Sequence, residues 1–361
     1  MNGTAKFCFD LGASATKGWV QVIPPGEAGI EEAIFQSSSI KPMTLSRYEM
    51  VTYDNSKHGA CLGFGDKYYE VGACVDESTR ETRASQLKGY HAVAKVLAVM
   101  GWYIKHSPVP LEVEVDLLLP SGERGKFEDI KTTLFRALTH FQYGADDLAC
   151  HPHEVRVHAE GAGIASYASV FPCSILIFGH KDVTLINLKD ATADVALNAH
   201  TWRGWGTIKL LKHFAHSFTN EFTGAKLIYQ ESVKSKKGAL RQFLLQTMAE
   251  KECERTMRAL NEAKEIVWME QEDELANDSE FMDSKKVYMG GGGAVIWSGR
   301  LSGLCGNKAD VLASVKREIK AASPVPLSAD QQLRLIDPYL VWRQSAKPIL
   351  KLEAPPIKEA V

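Results

Sequence analysis

Several absences narrow the class of this 361-residue chain. It has no run of about eighteen apolar residues, the length that a membrane-spanning helix requires, so no membrane partner is expected. Met1-Asn-Gly-Thr-Ala-Lys6 leads straight into a strand pattern without the apolar core of a signal peptide, and a cytoplasmic location is expected. The seven cysteines (Cys8, Cys61, Cys74, Cys150, Cys173, Cys253 and Cys305) form no CxxC pair, and several sit in apolar runs as small hydrophobes. Cys150-His-Pro-His153, with His158 nearby, lacks a second ligand pair at zinc spacing. Charge of one sign is also missing. The net charge is −2 with both signs mixed, so there is no concentrated nucleic-acid footprint, and any DNA would be reached through another protein. No GxxxxGK[ST] phosphate loop occurs. What remains is 45% hydrophobic and 24% charged, the balance of a soluble globular protein with room for two domains.

The stretch Phe7 to Trp19 holds the clearest chemistry. A buried strand places Asp10 at its end and turns through Gly12, Ala13, Ser14 and Ala15, whose small side chains let backbone N–H groups approach an anion. Thr16 and Lys17 follow, then a second strand from Trp19. An acid, a stripped turn and a lysine suit a polyphosphate with Mg²⁺: Asp10 for the metal and its waters, Lys17 for phosphate charge. The competing reading is a tight hairpin with a surface lysine.

Short β-like pieces between residues 30 and 72, among them Tyr48-Glu-Met-Val-Thr-Tyr53, predict a small β-rich insertion. From Thr82 the apolar spacing turns helical, through Leu87, Tyr90, Ala94, Leu97 and Met100. A strand over 111–119, a helix over about 125–141 and a strand from Glu154 precede Glu160-Gly-Ala-Gly163, which opens a helix. Cys173-Ser-Ile-Leu-Ile-Phe178 reads as a central strand covered on both faces. It breaks at Gly179-His-Lys-Asp182 and resumes at Val183, a strand, glycine turn and strand like the opening one, which implies two related α/β halves. A helix over about 208–218, a charged helical region over 238–277 and a strand ending in Gly290-Gly-Gly-Gly293 follow. Four consecutive glycines point to something flat or anionic lying on the backbone, or to close backbone packing. Residues 328–346 predict a closing helix kinked or split by Pro338, and a Pro-rich tail over 347–361 is expected to be disordered.

These motifs, in this order, resemble the actin-like ATPase superfamily, and within it the ParM-type plasmid-segregation proteins. Asp10-Leu-Gly-Ala-Ser-Ala-Thr-Lys17 matches the first phosphate motif, Glu160-Gly-Ala-Gly163 the connecting motif, and Gly291-Gly-Gly-Ala294 the adenosine motif. Gly204-Trp-Gly-Thr-Ile-Lys-Leu-Leu211 is similar to a segment that opens a second-domain helix. The resemblance implies an α/β, actin-like (ribonuclease H-like) two-domain fold with a nucleotide cleft between the domains. Domain I would span 1–165, with an insertion over about 30–80 and the closing helix, and domain II would span 166–327.

It also implies ATP with Mg²⁺ as ligands. Asp10 and Asp182 would serve the metal, and Glu160 the attacking water. Gly12 to Lys17, Gly179, His180, Lys181, Asp182 and Gly291 to Gly293 would line the nucleotide. ATP hydrolysis, self-assembly into filaments, and an adaptor protein on centromere-like plasmid DNA would follow. One departure stands out: the second phosphate motif has Ile177-Phe-Gly179 where the family has Asp-x-Gly. Three other readings compete. A nucleotide-gated module without catalysis suits Ile177. A small-metabolite kinase of the same superfamily would need a base for a substrate hydroxyl. A dinucleotide site at Gly161-Ala-Gly163-Ile-Ala-Ser166 leaves the other glycine turns unused.

Overall fold

The structure is a computed structural model that describes residues 2–51, 54–75, 88–214, 218, 221–233 and 238–345. Strand alternation builds the first sheet. In β1 (Gly3–Leu11), Phe7, Phe9 and Leu11 bury on one side, while Lys6, Cys8 and Asp10 share the other. β1 runs antiparallel to β2 (Ala15–Ile23), which pairs with β3 (Ile30–Ser37). On its other edge β1 is parallel to β7 (Leu111–Leu119), and β7 to β10 (His151–Ala159), giving the order β10-β7-β1-β2-β3. A second sheet joins β4 (Ile40–Met43), β5 (Gly59–Phe64), β6 (Lys67–Gly72), β8 (Phe141–Tyr143) and β9 (Asp146–Leu148) in the order β4-β6-β5-β8-β9.

The third sheet holds β11 (Cys173–Phe178), β12 (Val183–Leu188), β13 (Ala199–Trp202), β14 (Lys286–Gly290) and β15 (Ala309–Asp310). From one edge it reads β15-β14-β11-β12-β13, two parallel pairings followed by two antiparallel ones. The first sheet has the same pattern, so the duplication read from the glycine turns is present in the topology. The closing helix, Ala329–Ser345, knits the two sheets together. Its Leu335, Ile336 and Leu340 bury in the core of the third sheet, while Tyr339 and Trp342 pack on Trp19 of β2 at ring distances of 4.9 and 5.9 Å.

Several expectations need correction. The second strand starts at Ala15, not Trp19, because Asp10↔Lys17 and Leu11↔Thr16 already pair across the hairpin. Residues 30–37 belong to the first sheet, and the second sheet is completed by β8 and β9 from beyond the expected insertion. Tyr48 lies in the helix Leu45–Met50, whose first turn Thr44 caps through the Arg47 N–H at 3.3 Å. Pro338 sits inside a continuous helix. The charged region divides into Ala239–Leu244 and Glu250–Asn277, and the helix expected over 208–218 spans Thr207–His213. Residues 82–87 of the early helical pattern and the tail from 346 onward lie outside the described residues; the helix there covers Ala92–His106. Among the described residues no helix is long and apolar enough to cross a membrane.

Candidate functional site

The two related hairpins turn toward one open cleft. Asp10, Gly12, Ala13, Ser14 and Lys17 line it from the first hairpin, and Ile177, Gly179, His180, Lys181 and Asp182 from the other. Glu160, Gly291 and Gly292 complete the set of expected residues that meet there. Ala15, Thr16 and Gly293 do not line the cleft. Ala15 and Thr16 are strand residues, with Thr16 fully buried, and Gly293 donates its N–H to the Phe178 carbonyl at 2.9 Å.

Register sets the first turn. Asp10 and Lys17 are cross-strand partners, and their side chains form an ion pair of 2.6 Å between Oδ2 and Nζ. Burial pulls Lys17 below the ordinary lysine range against the opposing pull of Asp10. The other carboxylate oxygen, Asp10 Oδ1, is buried with no hydrogen-bond partner among the described residues. A buried carboxylate oxygen left unpaired is costly, and it marks a place where a donor or a cation belongs. A Cβ on Gly12 would fall 2.9 Å from the Ala15 carbonyl oxygen and 3.1 Å from Lys17 Nζ, so only glycine leaves that floor open.

In the second turn the protein uses more of its own groups. The Gly179 N–H, expected to cradle an anion, donates to the Asp182 carbonyl at 2.9 Å. Asp182 Oδ1 accepts from the Gly204 N–H at 2.8 Å, tying the turn to the loop that follows β13. The His180 ring lies 4.7 Å from that of Phe222, with Nε2 3.6 Å from Glu221. The neighbouring His180 ring holds the Glu221 carboxyl below its usual range against the effect of burial.

The glycine run serves both readings offered for it. A Cβ on Gly291, at φ +82°, would lie 2.5 Å from the Phe178 carbonyl, and one on Gly290 would meet Ile164 at 2.7 Å. Close packing therefore explains those two, while Gly291 and Gly292 still face the cleft. Glu160-Gly-Ala-Gly163 is similar: a Cβ on Gly163 would fall 2.2 Å from the Asp337 backbone oxygen. The histidine and cysteine cluster after residue 150 is dispersed. The Cys150 Sγ donates to the Leu138 carbonyl at 3.3 Å, and His158 Nε2 lies 2.7 Å from Asp116.

Three residues escaped the sequence reading. Lys88 forms an ion pair with Glu160 inside the cleft, and its backbone N–H and that of Gly89 donate to the two oxygens of Glu123 at 2.8 and 2.7 Å. Burial works against the Lys88 charge, but Glu160, Asp10 and Asp182 outweigh it and raise its pKa above the lysine norm. Burial pushes Glu160 up, with Lys88 pulling the other way. Arg334 of the closing helix reaches Ser14 Oγ at 2.9 Å and lies against Gly292, bridging the two glycine-rich walls. Asp337, one turn further, accepts from the N–H groups of Gly161 at 2.6 Å and Ile164 at 3.1 Å, so it fixes the backbone beside Glu160. Burial pushes its carboxyl up to about 7 despite those two donors. No local motif marks these positions; only tertiary packing brings them in.

No protein-family model matches the sequence, and no curated protein matches it. Solved structures do. The actin-like protein Alp7A is 13% identical, with 96% of this chain and 97% of that one covered and a TM-score of 0.57. The Alp12 filament structure is 11% identical, with coverage of 95% and 99% and a TM-score of 0.56. AlfA from the B. subtilis plasmid pLS32, in its filament structure, is 13% identical, with coverage of 95% and 99% and a TM-score of 0.52. At these identities the likeness is one of fold. The chain has the actin-like, two-domain α/β fold.

Proposed function

We propose that the cleft binds ATP with Mg²⁺ and hydrolyses it, and that the chain uses this cycle to assemble into filaments that move plasmid DNA through a DNA-bound adaptor protein. The observation that carries the reading is the meeting of both hairpin turns and the glycine run around the unpaired Asp10 oxygen. Lys17, Lys88, Lys181 and Arg334 supply cationic groups along the same walls, as a polyphosphate requires. The filament reading draws on the fold shared with the Alp12 and AlfA filament structures.

The residues fit a nucleotide-borne metal. Among the described residues no three potential ligands converge into a protein-only cage. Mg²⁺ in nucleotide sites is held largely by phosphate oxygens and water, and Asp10 Oδ1 supplies the spare carboxylate oxygen that such an arrangement uses. When bound, the ion neutralises phosphate charge. In this reading Lys17 offsets the remaining charge, the open backbone of Gly12 to Ser14 and of Gly291 and Gly292 admits the nucleotide closely, and Glu160 orients the attacking water.

Glu160→Ala is expected to leave ATP binding intact and to slow phosphate release by at least about a hundredfold. Sedimentation of the same samples with ATP, with ADP and with no nucleotide should give an ATP-dependent pellet. Loss of binding and release in equal measure would remove the assigned role, and no pellet at any concentration would remove the filament claim. A nucleotide-gated module without turnover is favoured by one observation: apolar Ile177 faces the cleft where the resembled motif has Asp. Tight binding with no phosphate release in the unaltered chain would select it.

A further inference from the structure

The Lys88–Glu160 ion pair ties up the residue assigned to the attacking water. Glu160 must present a free carboxylate to a water if it is to act in hydrolysis, yet a lysine occupies it. The pair is also not a loose surface contact. The Lys88 and Glu160 side chains are 21% and 12% exposed, and the backbone beneath the lysine is clamped by both oxygens of the buried Glu123. Gly89 is required for that clamp, since a Cβ there would lie 2.8 Å from Glu123 Oε2 and 2.7 Å from Ile130. Glu160 is fixed just as firmly: its N–H donates to the Leu119 carbonyl at 2.8 Å, and Asp337 holds the N–H of the next residue. Two backbone anchors thus hold a cation and an anion against each other within the cleft.

We propose that Lys88 reads the outermost phosphate of the nucleotide and, in doing so, releases Glu160. Without a triphosphate, the ammonium neutralises Glu160 and keeps it from ordering water. An added phosphate dianion is a stronger partner for the ammonium than one carboxylate, so Lys88 transfers to it and Glu160 is left free. A diphosphate leaves the pair intact. Lys88 therefore discriminates triphosphate from diphosphate and couples that choice to the residue that handles water. No bond to carbon, oxygen or phosphorus changes in this step; one ion pair is exchanged for another. The inference rests on the reading of the cleft as a nucleoside triphosphate site.

Equilibrium binding of Mg²⁺ with a non-hydrolysable ATP analogue, and of Mg²⁺ with ADP, tests it without any activity measurement. Lys88→Met should weaken the analogue by about ten- to a hundredfold, the worth of a hydrogen bond to a charged group, while ADP affinity stays within about twofold. Lys88→Arg should restore most of the discrimination. Because Lys88→Met leaves Glu160 buried without its cation, Lys88→Met/Glu160→Gln is measured beside it, and should show the same collapse in discrimination on a neutral, folded background. Equal weakening of both ligands, or of neither, in the double variant overturns the inference and leaves the cleft reading standing. Failure of the unaltered chain to bind either nucleotide overturns the cleft reading itself.

Discussion

Asp10 and Asp337 show how much of this site is decided by single carboxylates. Asp10, which lines the cleft, gives one oxygen to Lys17 and leaves the other buried without a hydrogen-bond partner among the described residues, a placement that follows from the hairpin register. Asp337 is the reverse case, because nothing in Leu335-Ile-Asp-Pro-Tyr339 announces a capping role. Its carboxyl sits among Gly161, Ile164, Asp10 and Glu160, and burial carries it to about 7. The folded chain therefore keeps a proton on Asp337 that the unfolded chain releases near pH 4, and stability falls as pH rises from about 4 to about 7. Asp337→Asn removes that dependence. Its melting temperature, compared with that of the unaltered chain at pH 5 and pH 8, should shift in the variant's favour at the higher pH. A gap that does not change with pH would show that the carboxyl is ionised throughout.

Among the elements, β7 and β10 are joined by charge as well as by backbone. Asp116 of β7 is fully buried and accepts from Arg156 Nε at 2.7 Å, from His158 of β10 and from Ser345 at the end of the closing helix. Burial opposes its ionisation, but Arg156 and His158 outweigh it and hold the carboxyl down at about 2. Removing one member of a buried charged cluster leaves the others uncompensated, so Asp116→Ala should cost about 3 kcal/mol at pH 7. A depressed carboxyl stabilises above its unfolded value and loses that effect as pH falls from about 4 toward 2, so denaturant unfolding should show a smaller gap at pH 3.

At this scale the sequence was legible where one element carries its own signal. The central strand β11 announced itself as an unbroken apolar run, the opening hairpin through its turn of small residues, and the charged helical region over 238–277 through its composition, though not its division into two helices. Thr44 capping a short helix over Leu45–Met50 was obscured by the aromatic and β-branched residues around it. The hairpin of β8 and β9 is only three residues per strand, and its place depends on Leu62 and Gly63 of β5. The glycine runs were visible, but their cause was not: Gly290 and Gly163 are needed by Ile164 and by the Asp337 backbone, which are distant in sequence.

For the whole molecule, two sheets with the same pairing pattern place equivalent hairpin turns on opposite walls of one cleft, and the closing helix binds the halves together. The repeat of strand, glycine turn and strand foretold that symmetry. It did not foretell Lys88 and Arg334, which arrive from the start of one helix and the middle of another. The proposed function stands on a triphosphate held between those walls. A structure determined with Mg²⁺ and a non-hydrolysable ATP analogue tests this most directly. Phosphates are expected beside Gly12 to Ser14 and Asp10, with the nucleoside against Gly291 and Gly292. A nucleotide seated elsewhere on the chain, with this cleft empty at saturating concentration, would contradict it.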